Sequence, residues 1–230
     1  MTALERAAVD VGPKVELFEG LDPKQVEFIL AAAASRRFCA KSVVTRQGEP
    51  ADRLLLLWKG RARYFYETAD GKKLLLKWIT PGCIFGGAAL VSGTSHYLVS
   101  TETVRDSTVL GWGRPAIRNL AHRFPQLLEN VHRIDMDYVS WYITAHAALT
   151  SQSARDRLAS VLFGLARSVG QEVSGGIELE LTNEELACSA HITPYTTSRV
   201  ISEWQRSGAI LKHRGKILLR SPERLFVRPT

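Results

Sequence analysis

Residues Leu181 to Trp204 constrain this chain more tightly than any other stretch. They read Leu-Thr-Asn-Glu-Glu-Leu-Ala-Cys-Ser-Ala-His-Ile-Thr-Pro-Tyr-Thr-Thr-Ser-Arg-Val-Ile-Ser-Glu-Trp. Two helix starts lie within them. Thr182 is a capping residue with Glu185 three positions on, the spacing of a capping box. The helix so opened has Leu186, Ala187 and Ala190 on its apolar side, and His191 and Ile192 make a turn. Thr193 then caps a second helix with Pro194 at its first position, where a missing N–H costs nothing. Val200, Ile201 and Trp204 form the stripe that seeks a core, while Tyr195, Ser198, Arg199 and Ser202 fall on another face.

Two helices joined by so short a turn are either an ordinary hairpin with a polar face or a helix-turn-helix. The second helix of a helix-turn-helix enters the DNA major groove by its N-terminal residues. The residues downstream favour the helix-turn-helix. Gly208 ends the second helix, and Ala209-Ile210-Leu211 and Ile217-Leu218-Leu219 read as short strands around a basic turn, Lys212-His213-Arg214-Gly215-Lys216. From Arg206 onward the tail is strongly basic, with Glu223 its one acid. A basic wing beside a helix-turn-helix is a phosphate-binding footprint, with Lys216 a candidate contact. Arg199 is placed to donate two hydrogen bonds to the O6 and N7 of a guanine. Tyr195 and Ser198 share its face as further base-contact candidates, and Thr193 with the free N–H groups of the first turn suits phosphate.

The 230 residues allow one large domain or two modest ones, and 45% hydrophobic with 23% charged residues is a soluble globular composition. No apolar run of about 18 residues is present, and Met1 to Gly12 lack the basic start and apolar core of a signal peptide. A cytoplasmic protein without a membrane partner is expected. The formal charge of +7 suits a polyanionic partner. Cys39, Cys83 and Cys188 are scattered and form no CxxC pair, which argues for a reducing compartment and against a disulfide framework, zinc ribbon or iron–sulfur cluster.

Upstream, residues to about Pro13 read as a loose arm. Asp22-Pro23-Lys24-Gln25 starts a short apolar helix running through Phe28, Ile29 and Leu30 into an alanine run. From about Arg37 the pattern becomes β-type. Gly48, Gly60, Gly71, Gly82 and Gly93 punctuate runs at Leu54 to Trp58, Ala62 to Tyr66, Leu74 to Ile79, Tyr97 to Val104 and Val109 to Trp112. This predicts a β-roll of about eight strands, with Asp70-Gly71 as a hairpin turn and room for one small ligand inside. A helical stretch at Pro115 to Leu120 breaks at Phe124-Pro125, and a long helix follows to about Leu149. Leu127, Val131, Ile134, Tyr138, Trp141, Ala145 and Ala148 recur in steps of four and three, the a/d pattern of a coiled coil. Such a stripe serves either to pack the helix on its own roll or to clasp a second copy. Because Leu128, Val139, Tyr142 and Ile143 offer another apolar face for the roll, the stripe is assigned to a two-fold dimer seam. Thr150-Ser151-Gln152-Ser153 reads as a hinge, Ala154 to Val169 as a helix ended by Gly170, and Ile177 to Leu181 as a strand. The fold class is α+β: a jelly-roll-like β-roll over 1–124, a dimerisation helix over 125–149 and a winged helix-turn-helix over 150–230.

This order of parts resembles the Crp/Fnr family of bacterial transcription regulators over essentially the whole chain. Local matches are Gly-Glu-Pro-Ala at 48–51, Lys-Gly-Arg-Ala at 59–62, Pro-Gly-Cys-Ile-Phe-Gly at 81–86 and Ser-Ala-Arg-Asp-Arg-Leu at 153–158. The resemblance implies that Arg199 reads a guanine in each half-site and that Thr182, Thr193, Thr196 and Arg214 touch phosphate. It implies a homodimer on double-stranded DNA, with RNA polymerase a further candidate partner. Pro194 and Tyr195 depart from the Arg or Ser and Glu often found there, so neighbouring base preferences do not carry over; Tyr195 suits a thymine methyl or a phosphate. Cyclic-nucleotide-binding members carry Gly-Glu-(apolar)-(small)-Leu and then an Arg-Ser or Arg-Thr pair. Here Gly86-Gly87-Ala88-Ala89-Leu90 lacks the ribose-binding Glu, and Tyr97-Leu98 replaces the pair that neutralises the phosphate. A buried phosphate needs a paired cation, so cyclic AMP is not the expected effector. The effector pocket is placed at Gly86, Gly87, Ala88, Tyr97 and Leu98, with Trp58, Trp78 and Phe85 as further walls for an apolar or aromatic ligand. The cysteine cluster of the oxygen-sensing branch is absent, and His96 is the only histidine available to a haem in the roll; neither haem nor metal is expected.

Two other readings compete. In one the roll has lost ligand binding and serves as the scaffold of a constitutive DNA binder. In the other, remote, it is a cupin-like metalloenzyme, which needs several His and Glu ligands converging from neighbouring strands. The remaining histidines (His122, His132, His146, His191, His213) lie outside the strands of the roll, and no nucleophile triad, P-loop or dinucleotide fingerprint is present. The chain reads as a regulator and not an enzyme.

Overall fold

The computed structural model describes residues 15–71, 73–91, 95–213 and 215–226. Contacts divide the chain between Trp141 and Tyr142 into two units. The first holds helix α1 (Pro23–Ala31), strands β1 (Ala34–Phe38), β2 (Val43–Thr45), β3 (Arg53–Lys59), β4 (Ala62–Glu67), β5 (Lys73–Ile79), β6 (Ile84–Phe85), β7 (Ser100–Thr103) and β8 (Ser107–Gly113), and helix α2 (Arg114–Arg123). It also holds the first part of a long helix, α3 (Pro125–Ser151). The strands form two antiparallel four-stranded sheets, in the orders β1-β8-β3-β6 and β2-β7-β4-β5, and this is the expected roll.

Leu54, Leu55, Leu56 and Leu57 are all buried, as a strand covered on both faces requires. Leu55 and Leu57 join Ala62, Ile79, Phe85 and Val109 between the sheets. Leu54 and Leu56 face the other way, with Leu110 and Trp112, into a core closed by Ile29, Ile117, Leu127, Val131 and Ile134. Asp22 caps α1 in a full capping box, accepting from Gln25 N at 2.9 Å while Gln25 accepts from Asp22 N at 3.0 Å. The alanine run is not all helix. Ala34 already begins β1, where the chain gains ladder partners from Gly111 down to Ser107. Tyr97 precedes the strand predicted to include it and pairs instead with the loop before β3, giving its N–H to Glu49 O (2.9 Å) and accepting from Gly48 N (2.8 Å).

The long helix corrects two expectations. Leu127, Val131 and Ile134 are 0, 3 and 7% exposed, and Tyr138 packs against the same cluster. The proposed seam is thus spent, through Tyr138, on the protomer's own core. The exposed apolar residues of the helix are Leu128, Met136, Val139, Tyr142, Ile143 and Leu149, with Trp141 at the margin. The face expected to lie on the roll is thus the exposed one. A helix lying on a sheet buries residues at the same three- and four-residue steps as a coiled coil, so spacing alone does not tell them apart. Thr150 and Ser151 do not break the helix either: their hydroxyls donate back to Ala147 O at 2.9 and 2.8 Å, satisfying both side chains within it. Gln152 and Ser153 alone separate α3 from the next helix.

The second unit contains the end of α3, then α4 (Ala154–Val169), β9 (Gln171–Val173), β10 (Gly176–Glu180), α5 (Asn183–Ala190), α6 (Pro194–Arg206), β11 (Ile210–His213) and β12 (Lys216–Leu219). Its antiparallel sheet runs β11-β12-β10-β9. Ser153 caps α4 by accepting from Asp156 N at 3.2 Å. Strand β9 was not expected. Leu158, Leu162, Leu179, Leu186, Ile201, Trp204, Ile217 and Leu219 are buried, and the unit is a winged helix-turn-helix. No helix among the described residues is long and apolar enough to cross a membrane.

Candidate DNA-recognition face and roll cavity

The helix pair forms as its sequence dictates. Thr182 Oγ1 accepts from Glu185 N (3.2 Å), and Glu185 Oε2 accepts from Thr182 N (2.8 Å). His191 closes α5 in the left-handed region (φ 51°), with its N–H on the carbonyls of Ala187 and Cys188. Burial, then the Arg157 charge, lowers its imidazole pKa. Thr193 Oγ1 accepts from Thr196 N at 3.1 Å to start α6. Thr197, Val200, Ile201 and Trp204 are buried, and the Trp204 indole N–H donates to Leu225 O at 3.2 Å.

Two arginines of α4 fix this pair. Arg155 Nη1 donates to Glu203 Oε2 on α6 at 2.7 Å, and its guanidinium lies 5.2 Å from the Trp204 ring centre. Arg157 donates to three carbonyls: Gln152 (2.8 Å), Ala190 (3.1 Å) and His191 (3.4 Å). Neither role was read from the sequence, where both arginines stood only within the Ser-Ala-Arg-Asp-Arg-Leu match at 153–158.

So held, α6 presents Tyr195 (80% exposed), Ser198 and Arg199 outward. Arg199 makes no hydrogen bond or ion pair among the described residues, so its planar fork of donors is open. Thr182 and Thr193 are exposed and Thr196 half-buried at the helix starts. Their hydroxyls are engaged locally, Thr182 donating to Glu185 Oε2 (3.0 Å) and Thr193 sharing a hydrogen bond with Thr196 (2.9 Å). In the wing, Lys216 Nζ lies 2.6 Å from Glu178 Oε1, and this hydrogen bond and charge raise the lysine pKa. Lys216 is therefore not the open cation its sequence suggested. Arg214 lies outside the described residues.

In the roll the expected pocket residues scatter. Leu98 is 82% exposed and does not line the cavity described next. Phe85 belongs to the core between the sheets and Trp58 packs on the outer core. Trp78 lies beside Arg61, whose guanidinium is 5.9 Å from its ring centre. Tyr97 lines a cavity of about 740 Å³, but Gly86, Gly87 and Ala88 do not. That cavity opens against β1, β2 and the loop before β3. The Tyr97 hydroxyl donates to Asp52 Oδ1 and Arg53 O and accepts from Arg53 N, each at 3.2 Å; burial, then Asp52, pushes its pKa up to about 12.

Gly86 has φ +82°, and a Cβ there would come within 2.5 Å of Arg53 O and 3.1 Å of the Tyr97 ring, so only glycine fits. At Gly87 a Cβ would meet the Asp135 carboxylate of α3 at 3.1 Å. Partial burial raises the pKa of that carboxyl. Beside it, Lys77 of β5 lies 3.7 Å from the Tyr138 ring centre and 5.3 Å from that of Trp141. The Tyr64 and Tyr138 rings meet at a tilt with centres 5.9 Å apart, and burial raises both phenol pKa values and lowers that of Lys77. This cluster was missed; its signal was a lysine and an aspartate on otherwise apolar faces. Among the described residues no cluster of His, Cys, Asp and Glu could hold a metal ion.

A jelly-roll followed by a winged helix with an open arginine on its second helix defines a class, a roll joined to a DNA-binding module. Residues 35–124 match the family model of the cyclic nucleotide-binding domain, and residues 156–226 that of the Crp-like helix-turn-helix domain. The chain is 23% identical over 211 residues to the CRP-like cAMP-activated global transcriptional regulator of Mycobacterium tuberculosis, covering 91% of this chain and 94% of that one. A CRP-family transcriptional regulator from Thermus thermophilus has the same fold, with TM-score 0.70 and 25% identity over 83% of this chain and 94% of that one. The c-di-GMP-responsive regulator CLP of Xanthomonas campestris matches in fold at TM-score 0.74 and 19% identity, over 86% of this chain and 99% of its own. The chain belongs to the Crp/Fnr family of transcription regulators.

Proposed function

We propose that the protein is a homodimeric, sequence-specific DNA-binding transcription regulator whose roll senses a small molecule other than cyclic AMP. The observation that carries the DNA reading is Arg199, exposed and without a partner among the described residues, on the outward face of a helix anchored by Arg155 and Trp204. Arg199 donates to a guanine, Tyr195 and Ser198 meet neighbouring base edges, and Thr182, Thr193, Thr196 and Arg214 steady the phosphates. The dimer forms along the exposed face of α3. Leu128, Val139, Tyr142 and Leu149 stand on one ridge with His132, Asp135 and His146 between them, in steps of four and three. A two-fold dimer sets two recognition helices about 34 Å apart, one turn of the duplex. The protein is cytoplasmic and works by binding, with no catalytic step.

Two observations argue against cyclic AMP, although a relative is described as cAMP-activated. Tyr97 offers no cation to a phosphate, and Gly87 offers no carboxylate to a ribose, while the Asp135 carboxylate lies only 3.1 Å from where a Cβ would stand at Gly87. The second reading, a roll that serves as a ligand-free scaffold, draws on Tyr64, Lys77 and Tyr138 filling the space beside that loop. Selection of bound duplexes from a random pool, with and without small-molecule extract, tests both readings. An operator with two inverted half-sites is expected. Recovery of no preferred sequence at low salt sinks the DNA reading, and an extract without effect favours the scaffold.

A further inference from the structure

Where Tyr64, Lys77 and Tyr138 fill one part of the roll, the cavity of about 740 Å³ stays open elsewhere. Its floor comes from three neighbouring strands in register. Ala34, Arg36 and Phe38 share one face of β1, Val109, Gly111 and Gly113 the matching face of β8, and Arg53 and Leu55 that of β3. Gly111 and Gly113 place no side chain on this face, which gives the floor its depth. Phe38, Val44, Leu55 and Val109 make it apolar.

The charges at the rim are not equivalent. Asp52 is held by Arg53 at 3.5 Å and by the Tyr97 hydroxyl at 3.2 Å, and Glu49 lies 3.9 Å from Arg46. Arg36 alone of the charged lining residues has no ion pair among the described residues. A volume of this size suits a small molecule. One open cation over an apolar floor suits a single negative charge on a hydrocarbon body, while Glu49 and Asp52 disfavour a second negative charge.

We propose that this cavity binds a small amphipathic monocarboxylate, its body on Phe38, Val44, Leu55 and Val109 and its carboxylate on Arg36. The consequence for DNA binding rests on the sensor reading above; the binding itself does not. Tyr97 joins the two. It lines the cavity, its ring lies against Gly86, and the adjacent Gly87 abuts Asp135 of α3. A ligand that displaces Tyr97 therefore presses on the loop that touches the long helix.

The test is calorimetric titration of octanoate into the full chain, with octylamine as the cationic control. Octanoate is expected to saturate one site per chain and octylamine not to bind. Arg36→Glu weakens octanoate about fivefold, the range of an exposed ion pair. Gly113→Leu abolishes binding; nothing lies within 4 Å of a Cβ there, so the larger side chain enters the cavity without strain. Thermal unfolding like the wild type shows that both variants are folded. No saturation, equal binding of octanoate and octylamine, or unchanged affinity in both variants overturns the site. Operator affinity measured separately with octanoate decides the sensor reading: bound octanoate without effect on DNA refutes that reading and leaves the site standing.

Discussion

The two faces of the long helix carry similar apolar content and have opposite fates. On one, Leu127, Val131 and Ile134 disappear beneath the roll; on the other, Leu128, Met136, Val139 and Ile143 stand in solvent, about half of each exposed or more. Large apolar residues gathered on one exposed face of a well-packed protein mark a surface that awaits a partner. The inner face therefore governs whether the roll folds, and the outer face is the one on which the proposed dimer depends.

The sharpest break in this contrast is Leu127→Ala. Its side chain is fully buried, and truncation is expected to cost about 2–5 kcal/mol, read by denaturant unfolding. Val139→Asp combined with Ile143→Asp is expected to leave far-UV ellipticity intact and to halve the mass in light scattering. A pair of aspartates that left the mass unchanged would move the dimer surface elsewhere. Arg199→Ala is expected to lose about 1–3 kcal/mol on the preferred operator and to relax choice at one base pair, read by competition binding. Unchanged affinity and preference would remove Arg199 from the reading face. The smallest effect is Glu178→Gln, which releases Lys216 to phosphate. Binding should tighten a few-fold on all sequences and the salt slope steepen by about one, whereas Lys216→Ala should weaken all sequences alike.

The helix-turn-helix was legible almost residue by residue because its signals are local. Caps, a proline at the first helical position and an apolar stripe each act within four residues, and Thr182, Thr193 and Trp204 all take the parts predicted. Most of the strands were legible from glycine spacing and apolar runs for the same reason. Which helix face packs on the roll was not legible, because it depends on which of two apolar stripes meets the sheet, a choice made by residues such as Leu54, Trp112 and Ile117 far away in sequence. The lining of the cavity beside Tyr97 was hidden on similar grounds. Leu98 lies beside Tyr97 in the chain, yet it is 82% exposed where Tyr97 is buried. The free charge of Arg36 and the spent charge of Lys216 depend on acids far off in the chain, and composition does not reveal them.

Arg157 clasps the carbonyl of Gln152, in the connector after the long helix, together with those of Ala190 and His191 at the turn between the DNA-reading helices. One guanidinium thus welds the connector to the turn, and a twist applied to the connector is carried to the reading helices instead of being lost in slack. Removing that single side chain would therefore free the connector and the turn together, although they lie almost forty residues apart in the chain.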